Sequence, residues 1–273
     1  SSLFLLNNCA KKTTDTINIG AILPLTGPGA IFAQYIKEGI DLAVEEFNKS
    51  SKVPLTVFYE DSMNQPKVGI SAYNKLVATE KPPVIIIALS SVAKALAPLA
   101  GQSNIIQIYI AVAIPGITDG KCTFRVYPEA RGMAGVMARY NATRLGAKTA
   151  AVIYINDDFG LVSLEVFKKE FEAYGGKVIF TENYEPQRTD FRPQIIKLKN
   201  IQPIPDVIYL NGYGLSYSTI IKQLKELGIK SQLTADMTLG LPNTLEQIGD
   251  AAQDAYFVDG KMSFDFAIKF KQK

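Results

Sequence analysis

Histidine and tryptophan are absent from this sequence, and cysteine occurs only twice. Without histidine the chain lacks the commonest general base, the Ser–His–Asp and Cys–His nucleophile arrangements, and the usual zinc ligand. Ser–Lys, carboxylate-pair and cofactor chemistry stay open. Cys9 and Cys122 sit in unrelated contexts, so no disulfide is expected between them. An excess of charge of one sign is also missing. The 29 basic and 26 acidic residues leave a net charge of +3, with no arginine-rich run or basic stripe, which argues against nucleic acid as a partner. No phosphate fingerprint is present either. Gly27 and Gly29 in PLTGPGAIF could suggest one, but Pro28 removes an N–H that a cradle needs, and neither GK[ST] nor GxGxxG follows.

What is present is an ordinary globular composition: 273 residues, 47% hydrophobic and 20% charged, enough for a sizeable core in one or two domains. The start, SSLFLLNNCAKK, is too short an apolar run to span a membrane. It resembles the tail of a bacterial lipoprotein signal, with Leu6 at the lipobox leucine and Cys9 as the residue to be lipidated. Asn8 departs from the small residue that pattern wants. Residues 1–16 are therefore expected to be either a signal- or lipoprotein-like leader or a disordered terminus.

From Ile17 onward, strand and helix patterns alternate. INIGAIL (17–23), PLTVFYE (54–60), VIIIA (84–88) and IIQIYI (105–110) read as buried strands. The helix at 30–48 is amphipathic, with Phe32, Ile36, Ala43, Val44 and Phe47 on one face. A Pro- and Gly-rich stretch at 111–130 breaks the pattern and reads as a crossover. Alternation then restarts with TAAVIYI (149–155) and continues to AYFVDG (255–260). LTVFYEDSMNQP (55–66) and KVIFTENYEPQR (177–188) echo one another, a weak repeat that suggests two similar lobes. The expected fold is α/β: two doubly wound parallel-sheet lobes joined by a hinge, with a ligand cleft between them. The expected division is 17–122 for lobe 1, 123–260 for lobe 2, and the start of a further helix at 261–273.

In such sheets ligands bind beyond the carboxyl ends of the strands. After the third strand come Ser90 and Ser91, which can cap the following helix, hold an anion there, or both. A nucleophilic role would need a base, and Lys94, one turn along, is expected to face solvent. NDDFG (156–160) offers Asp157 and Asp158. Adjacent carboxylates seldom converge, so helix capping is the expected role. Phe159 follows them, and Tyr213 stands between Gly212 and Gly214 after the strand DVIYLN. Asp236 follows SQLTA on a rim with few charges.

The ordered set GAILPLTGPGA, YEDSMNQP, VIIIALSS, FRVYPE and YINDDFG resembles the periplasmic solute-binding proteins of ABC transporters. The group it most resembles is the leucine/isoleucine/valine-binding, or branched-chain amino acid receptor, type. The likeness runs from about Ile17 to Gly260. It implies the type I periplasmic-binding fold and two lobes that close over a free amino acid. It places Ser90, with Ser91, at the ligand carboxylate, and a backbone group and a hydroxyl in the loop after the fourth strand. Here that loop reads AVA: Ala111 can keep the backbone contact, but Ala113 has no hydroxyl. The family aromatics fall on Phe32, Phe159 (usually tyrosine) and Tyr213. The acid for the ligand ammonium falls on Asp236, with Met237 as the neighbouring alternative.

The resemblance implies a monomer, with no cofactor and no metal, that delivers its ligand to a membrane permease outside the cytoplasm, anchored through Cys9. The lost hydroxyl and the Tyr-to-Phe change favour an apolar ligand. A neutral or branched-chain amino acid is expected first, and an aromatic or other hydrophobic carboxylate second. A ligand-sensing regulator built on the same lobes, or an enzyme on a doubly wound fold, are the other classes. The family normally continues past this point with a third crossover, so its C-terminal part is expected to be missing here.

Overall fold

The computed structural model describes residues 16–260. Cys9 with the expected leader, and the helix expected at 261–273, lie outside the described residues. The first lobe runs β1 (Ile17–Leu23), α1 (Ala30–Ser50), β2 (Leu55–Asp61), α2 (Pro66–Thr79), β3 (Val84–Ala88), α3 (Ser90–Ser103), β4 (Ile106–Ile110) and β5 (Thr123–Arg125). The second opens with a π turn at Arg131–Gly135 that leads into α4 (Val136–Thr143). It continues with β6 (Thr149–Ile155), α5 (Asp158–Ala173), β7 (Lys177–Tyr184), α6 (Arg192–Lys199), β8 (Val207–Asn211) and α7 (Leu215–Glu226). It ends with β9 (Gln232–Ala235), a 3-10 turn at Met237–Gly240, α8 (Pro242–Ile248), a second such turn at Gly249–Ala252, and β10 (Tyr256–Phe257).

Each lobe carries one five-stranded sheet, ordered β2-β1-β3-β4-β5 in the first and β10-β9-β8-β6-β7 in the second. Every strand pair is parallel. Counted within its own lobe, each sheet has the order 2-1-3-4-5. The sequence echo between 55–66 and 177–188 now has a cause, since both stretches hold the second strand, at the sheet edge, and its exit.

Alternation along β6 shows why the sheet must be covered twice. Ala151, Ile153 and Ile155 join one buried cluster with Tyr217 and Leu239. Ala150, Val152 and Tyr154 join another with Phe167 and Tyr209 on the opposite face. Burying each large side chain stabilises the fold by about 1.5–3 kcal/mol. In the first lobe, Ile22, Ile85, Ile87, Leu96 and Tyr109 form the corresponding core.

Two expectations are corrected. Phe47, assigned to the apolar face of α1, is 47% exposed near the end of the helix. The lobe boundary at 122/123 also moves. Thr123–Arg125 pairs in parallel with Gln107–Tyr109, and Gln107 N–H donates to the Cys122 carbonyl at 2.7 Å. The short extended piece in the crossover is thus the edge strand of the first sheet, and the described chain passes between lobes at 126–130.

Candidate functional site

A sheet ordered 2-1-3-4-5 has its topological switch point between its first and third strands, where connections leave to opposite faces. Both switch points, β1/β3 and β6/β8, open onto one cavity between the lobes. The cavity is narrow, with about 20 Å³ open to the centre of a water-sized sphere.

On the first-lobe side, the wall is made by Phe32 from α1 and by Leu89, Ser90 and Ala111. Leu89 joins β3 to α3 with φ 68° and ψ 145°, and Ala111 follows β4 with φ 53°. Both are non-glycine residues in backbone territory that favours glycine, and such strain gathers at ligand sites. Leu89 N–H donates to the Ile110 carbonyl at 3.3 Å, which ties the two turns together. Ser90 is buried as the first residue of α3, and its Oγ accepts from Ala113 N–H at 3.2 Å. The expectation that a serine side chain caps α3 is therefore corrected: no side-chain cap is made, and the hydroxyl holds the AVA loop instead. Ser91 is half-buried and Ala113 fully buried, and neither lines the cavity. Ala113 packs with Ala130 and Met133.

On the second-lobe side, Asp157, Phe159 and Tyr213 face the cavity, joined by Met237 and Thr238. Asp157 caps α5, its Oδ1 accepting from Gly160 N–H at 2.9 Å. Its Oδ2 accepts from the Tyr213 hydroxyl at 2.5 Å. Burial pushes the Asp157 carboxyl up, while bonds from Tyr213, Gly160 and Phe159 pull it down. Gly160 permits this cap, because a Cβ there would lie 1.9 Å from the Ile155 carbonyl oxygen. Tyr213 is aimed by its flanking glycines. Gly212 has φ 138°, and a Cβ on it would lie 2.1 Å from the Tyr184 hydroxyl.

Asp236 is corrected most. It is fully buried beneath the cavity floor, with no place on the wall. Its Oδ2 accepts from Asn211 Nδ2 at 3.0 Å and Gly212 N–H at 2.7 Å. Its Oδ1 accepts from Thr238 N–H at 2.9 Å and the Tyr217 hydroxyl at 3.3 Å. Burial pushes this carboxyl up to about 7 in spite of those donors. Asp236 thus joins the turn that carries Tyr213 to the segment that carries Met237. Four wall residues escaped the sequence reading: Leu89, Tyr127, Asp157 and Thr238. Asp157 was read as a cap only; the cap occupies Oδ1, and the approach of the Tyr213 hydroxyl holds Oδ2 on the cavity side of the turn. Tyr127 lies in the crossover, and its hydroxyl donates to Met237 Sδ.

The lobes touch around the cavity. Phe32 meets Tyr213 edge-on, with ring centroids 5.5 Å apart. Asn64 Nδ2 donates to the Tyr213 hydroxyl at 2.7 Å, and Lys94 pairs with Asp158 at 2.6 Å. Lys94, expected in solvent, is exposed yet bridges the lobes. Among the described residues, no group of three or more His, Cys, Asp or Glu is placed to hold a metal, and no helix is long and apolar enough to cross a membrane.

Comparison with known proteins adds sequence and fold relations. The family profile described as "Periplasmic binding protein" matches residues 16–265. The Leu/Ile/Val-binding protein homolog 3 of Brucella melitensis is 27% identical over 252 residues, 90% of this chain and 67% of that one. The chain spans 59 to 67% of the length of the first such relatives. A Streptococcus pneumoniae branched-chain amino acid transporter substrate-binding protein, solved with isoleucine, superposes with a TM-score of 0.83. It is 21% identical, and the match covers 92% of this chain and 72% of that one. A Rhodopseudomonas palustris ABC transporter solute-binding protein, solved with 4-hydroxybenzoate, superposes with a TM-score of 0.76. It is 26% identical, over 84% of this chain and 65% of the other.

Proposed function

The chain belongs to the periplasmic binding protein family, and from that premise we propose that it is the extracytoplasmic solute-binding component of an ABC importer. The observation that carries this reading is the cavity itself, set where the switch points of two like lobes face each other. The site binds a ligand and performs no reaction on it. Closure of the lobes excludes water from the ligand, and a membrane permease receives the closed form.

The ligand is a small carboxylate, first of all a neutral or branched-chain amino acid. Ser90 sits at the start of α3, a 14-residue helix whose first N–H groups lack intrahelical partners. Its Oγ accepts from Ala113, so its own proton is available to a ligand oxygen, and the helix end favours negative charge. Ala111 offers backbone, and Phe32, Phe159 and Met237 give the ligand an apolar surround. A second reading, an aromatic carboxylate, is favoured by the ring-rich wall and by the 4-hydroxybenzoate held by the Rhodopseudomonas palustris relative.

The test is mass spectrometry of small molecules released from the denatured purified protein, followed by calorimetry with leucine, isoleucine, valine and 4-hydroxybenzoate. Binding without turnover is expected. Failure of both ligand classes would end the carboxylate assignment, and conversion of a bound compound would end the binding-only reading.

A further inference from the structure

Among the described residues on the cavity wall, two hydroxyl protons have no strong acceptor in the protein. One belongs to Ser90, and the proposed reading gives it to the ligand carboxylate. The other belongs to Tyr127, whose hydroxyl donates to Met237 Sδ. A thioether sulfur is a weak acceptor. The remaining polar side chains of the wall are better served. The Tyr213 hydroxyl donates to Asp157 and accepts from Asn64, and Asp157 also accepts from Gly160 N–H. Thr238 is 3% exposed and turns its hydroxyl to Asp236. Burial, helped by the Asp236 charge, pushes the Tyr127 phenol above its ordinary value, so it keeps the proton it has to give. A donor in an apolar surround with a poor partner gains most when a ligand oxygen takes that partner's place.

Tyr127 is also held firmly. It lies in the crossover between the lobes, and bonds on either side of it pin the crossover to the first lobe. Val126 N–H donates to the Tyr109 carbonyl at 3.0 Å, and Ala130 N–H donates to the Ala113 carbonyl at 2.9 Å. Arg125 Nη1 adds a bond to the Ile114 carbonyl at 2.7 Å. The Tyr127 ring packs on the cluster of Ala113, Ala130 and Met133, as do Phe159 and Met237. From this footing the hydroxyl reaches Met237 in the second lobe. The methionine is unbranched and turns about three bonds, so it can yield its place while the anchored tyrosine stays. Fixed donors of this kind select for the ligand group they bond, because an analogue without that group leaves them unpaired.

We propose that Tyr127 is a specificity-determining residue of the site, and that its hydroxyl donates to a hydroxyl oxygen on the body of the ligand, apart from the carboxylate, in the place that Met237 Sδ takes here. The proposal rests on the solute-binding reading with its carboxylate at Ser90. It narrows that reading to hydroxylated carboxylates, whether amino acid or aromatic acid.

The test uses pairs of probes that exchange one methyl group for one hydroxyl: valine with threonine, and 4-methylbenzoate with 4-hydroxybenzoate. Each pair keeps its shape, so a wall without a hydroxyl partner would favour the methyl member. Calorimetry on the purified chain is expected to show the hydroxyl member bound at least tenfold more tightly in each pair that binds. Tyr127→Phe keeps the ring and removes one oxygen, and it is expected to cut that ratio at least fivefold. Met237→Leu removes the sulfur and is expected to keep the hydroxyl member ahead. Thermal unfolding checks that both variants are folded. A methyl member bound equally or more tightly, or a ratio unchanged in folded Tyr127→Phe, would overturn the role of Tyr127 and leave the solute-binding reading intact. A ratio lost in Met237→Leu but kept in Tyr127→Phe would assign the selection to the sulfur and overturn the proposal as well. Silence from all four probes would count against the carboxylate-binding reading itself, and the role of Tyr127 would fall with it.

Discussion

Ser90 shows how one hydroxyl can serve two neighbours. Its oxygen satisfies Ala113 N–H, which fixes the AVA loop, and in the proposed reading its proton goes to a ligand oxygen. Ser90→Ala strands a buried N–H, a loss of about 1–3 kcal/mol. We expect urea unfolding to show that loss and calorimetry to show at least tenfold weaker carboxylate binding. Unchanged affinity would remove Ser90 from the site. Asp236 gives a pH signature. Its folded carboxyl is pushed up to about 7 from 3.8, so the folded state keeps a proton that the unfolded chain has already released over that interval. Stability from this group is full below the unfolded value and is lost as pH rises through the folded one. Asp236→Asn cannot ionise. The stability of the natural protein relative to this variant should therefore fall between about pH 4 and pH 8, by at most about 4 kcal/mol. Denaturant titrations at several pH values would show the slope, and a flat difference would contradict it.

At the scale of elements, the site depends on how strands end. The turn after β8 places Tyr213 because Gly212 adopts φ 138° against the Tyr184 hydroxyl. Gly212→Ala would strain the backbone and drive a methyl group into that hydroxyl. We expect a loss of about 2 kcal/mol or more, with Tyr213 displaced and ligand affinity reduced. Thermal unfolding checks the first outcome and calorimetry the second. The start of α5 follows the same logic, since the close approach of Gly160 to Ile155 lets Asp157 cap the helix and face the cavity together.

At the scale of the molecule, two lobes of equal strand order meet through few polar groups. The exposed Lys94–Asp158 pair contributes at most about 1 kcal/mol and is screened by salt. The half-buried Asn64–Tyr213 bond and the Phe32–Tyr213 contact hold the lobes more directly. Asn64→Ala should shift the ligand-free protein toward open forms. Small-angle scattering should then record a larger radius of gyration that ligand reverses, while Lys94→Ala leaves it nearly unchanged. An unchanged radius for Asn64→Ala would mean that this bond does not hold the lobes.

The sequence by itself determined the alternation of strands and helices, because apolar periodicity records which faces are buried and glycine and proline mark where elements stop. It also placed Ser90, Ala111, Phe159, Tyr213 and Phe32 at strand ends and a helix start, and all five line one cavity from its two sides. Only the tertiary structure decided which way each polar group turns. Asp236 and Asp157 both follow strands and both cap helical turns, so local pattern cannot separate them. Burial under the sheet end turned Asp236 inward to four donors, and the approach of Tyr213 from β8 turned Asp157 outward. That choice depends on contacts between residues distant in sequence, 24 and 25 positions apart for Asp236 with Gly212 and Asn211 and 56 for Asp157 with Tyr213, and no local pattern encodes it.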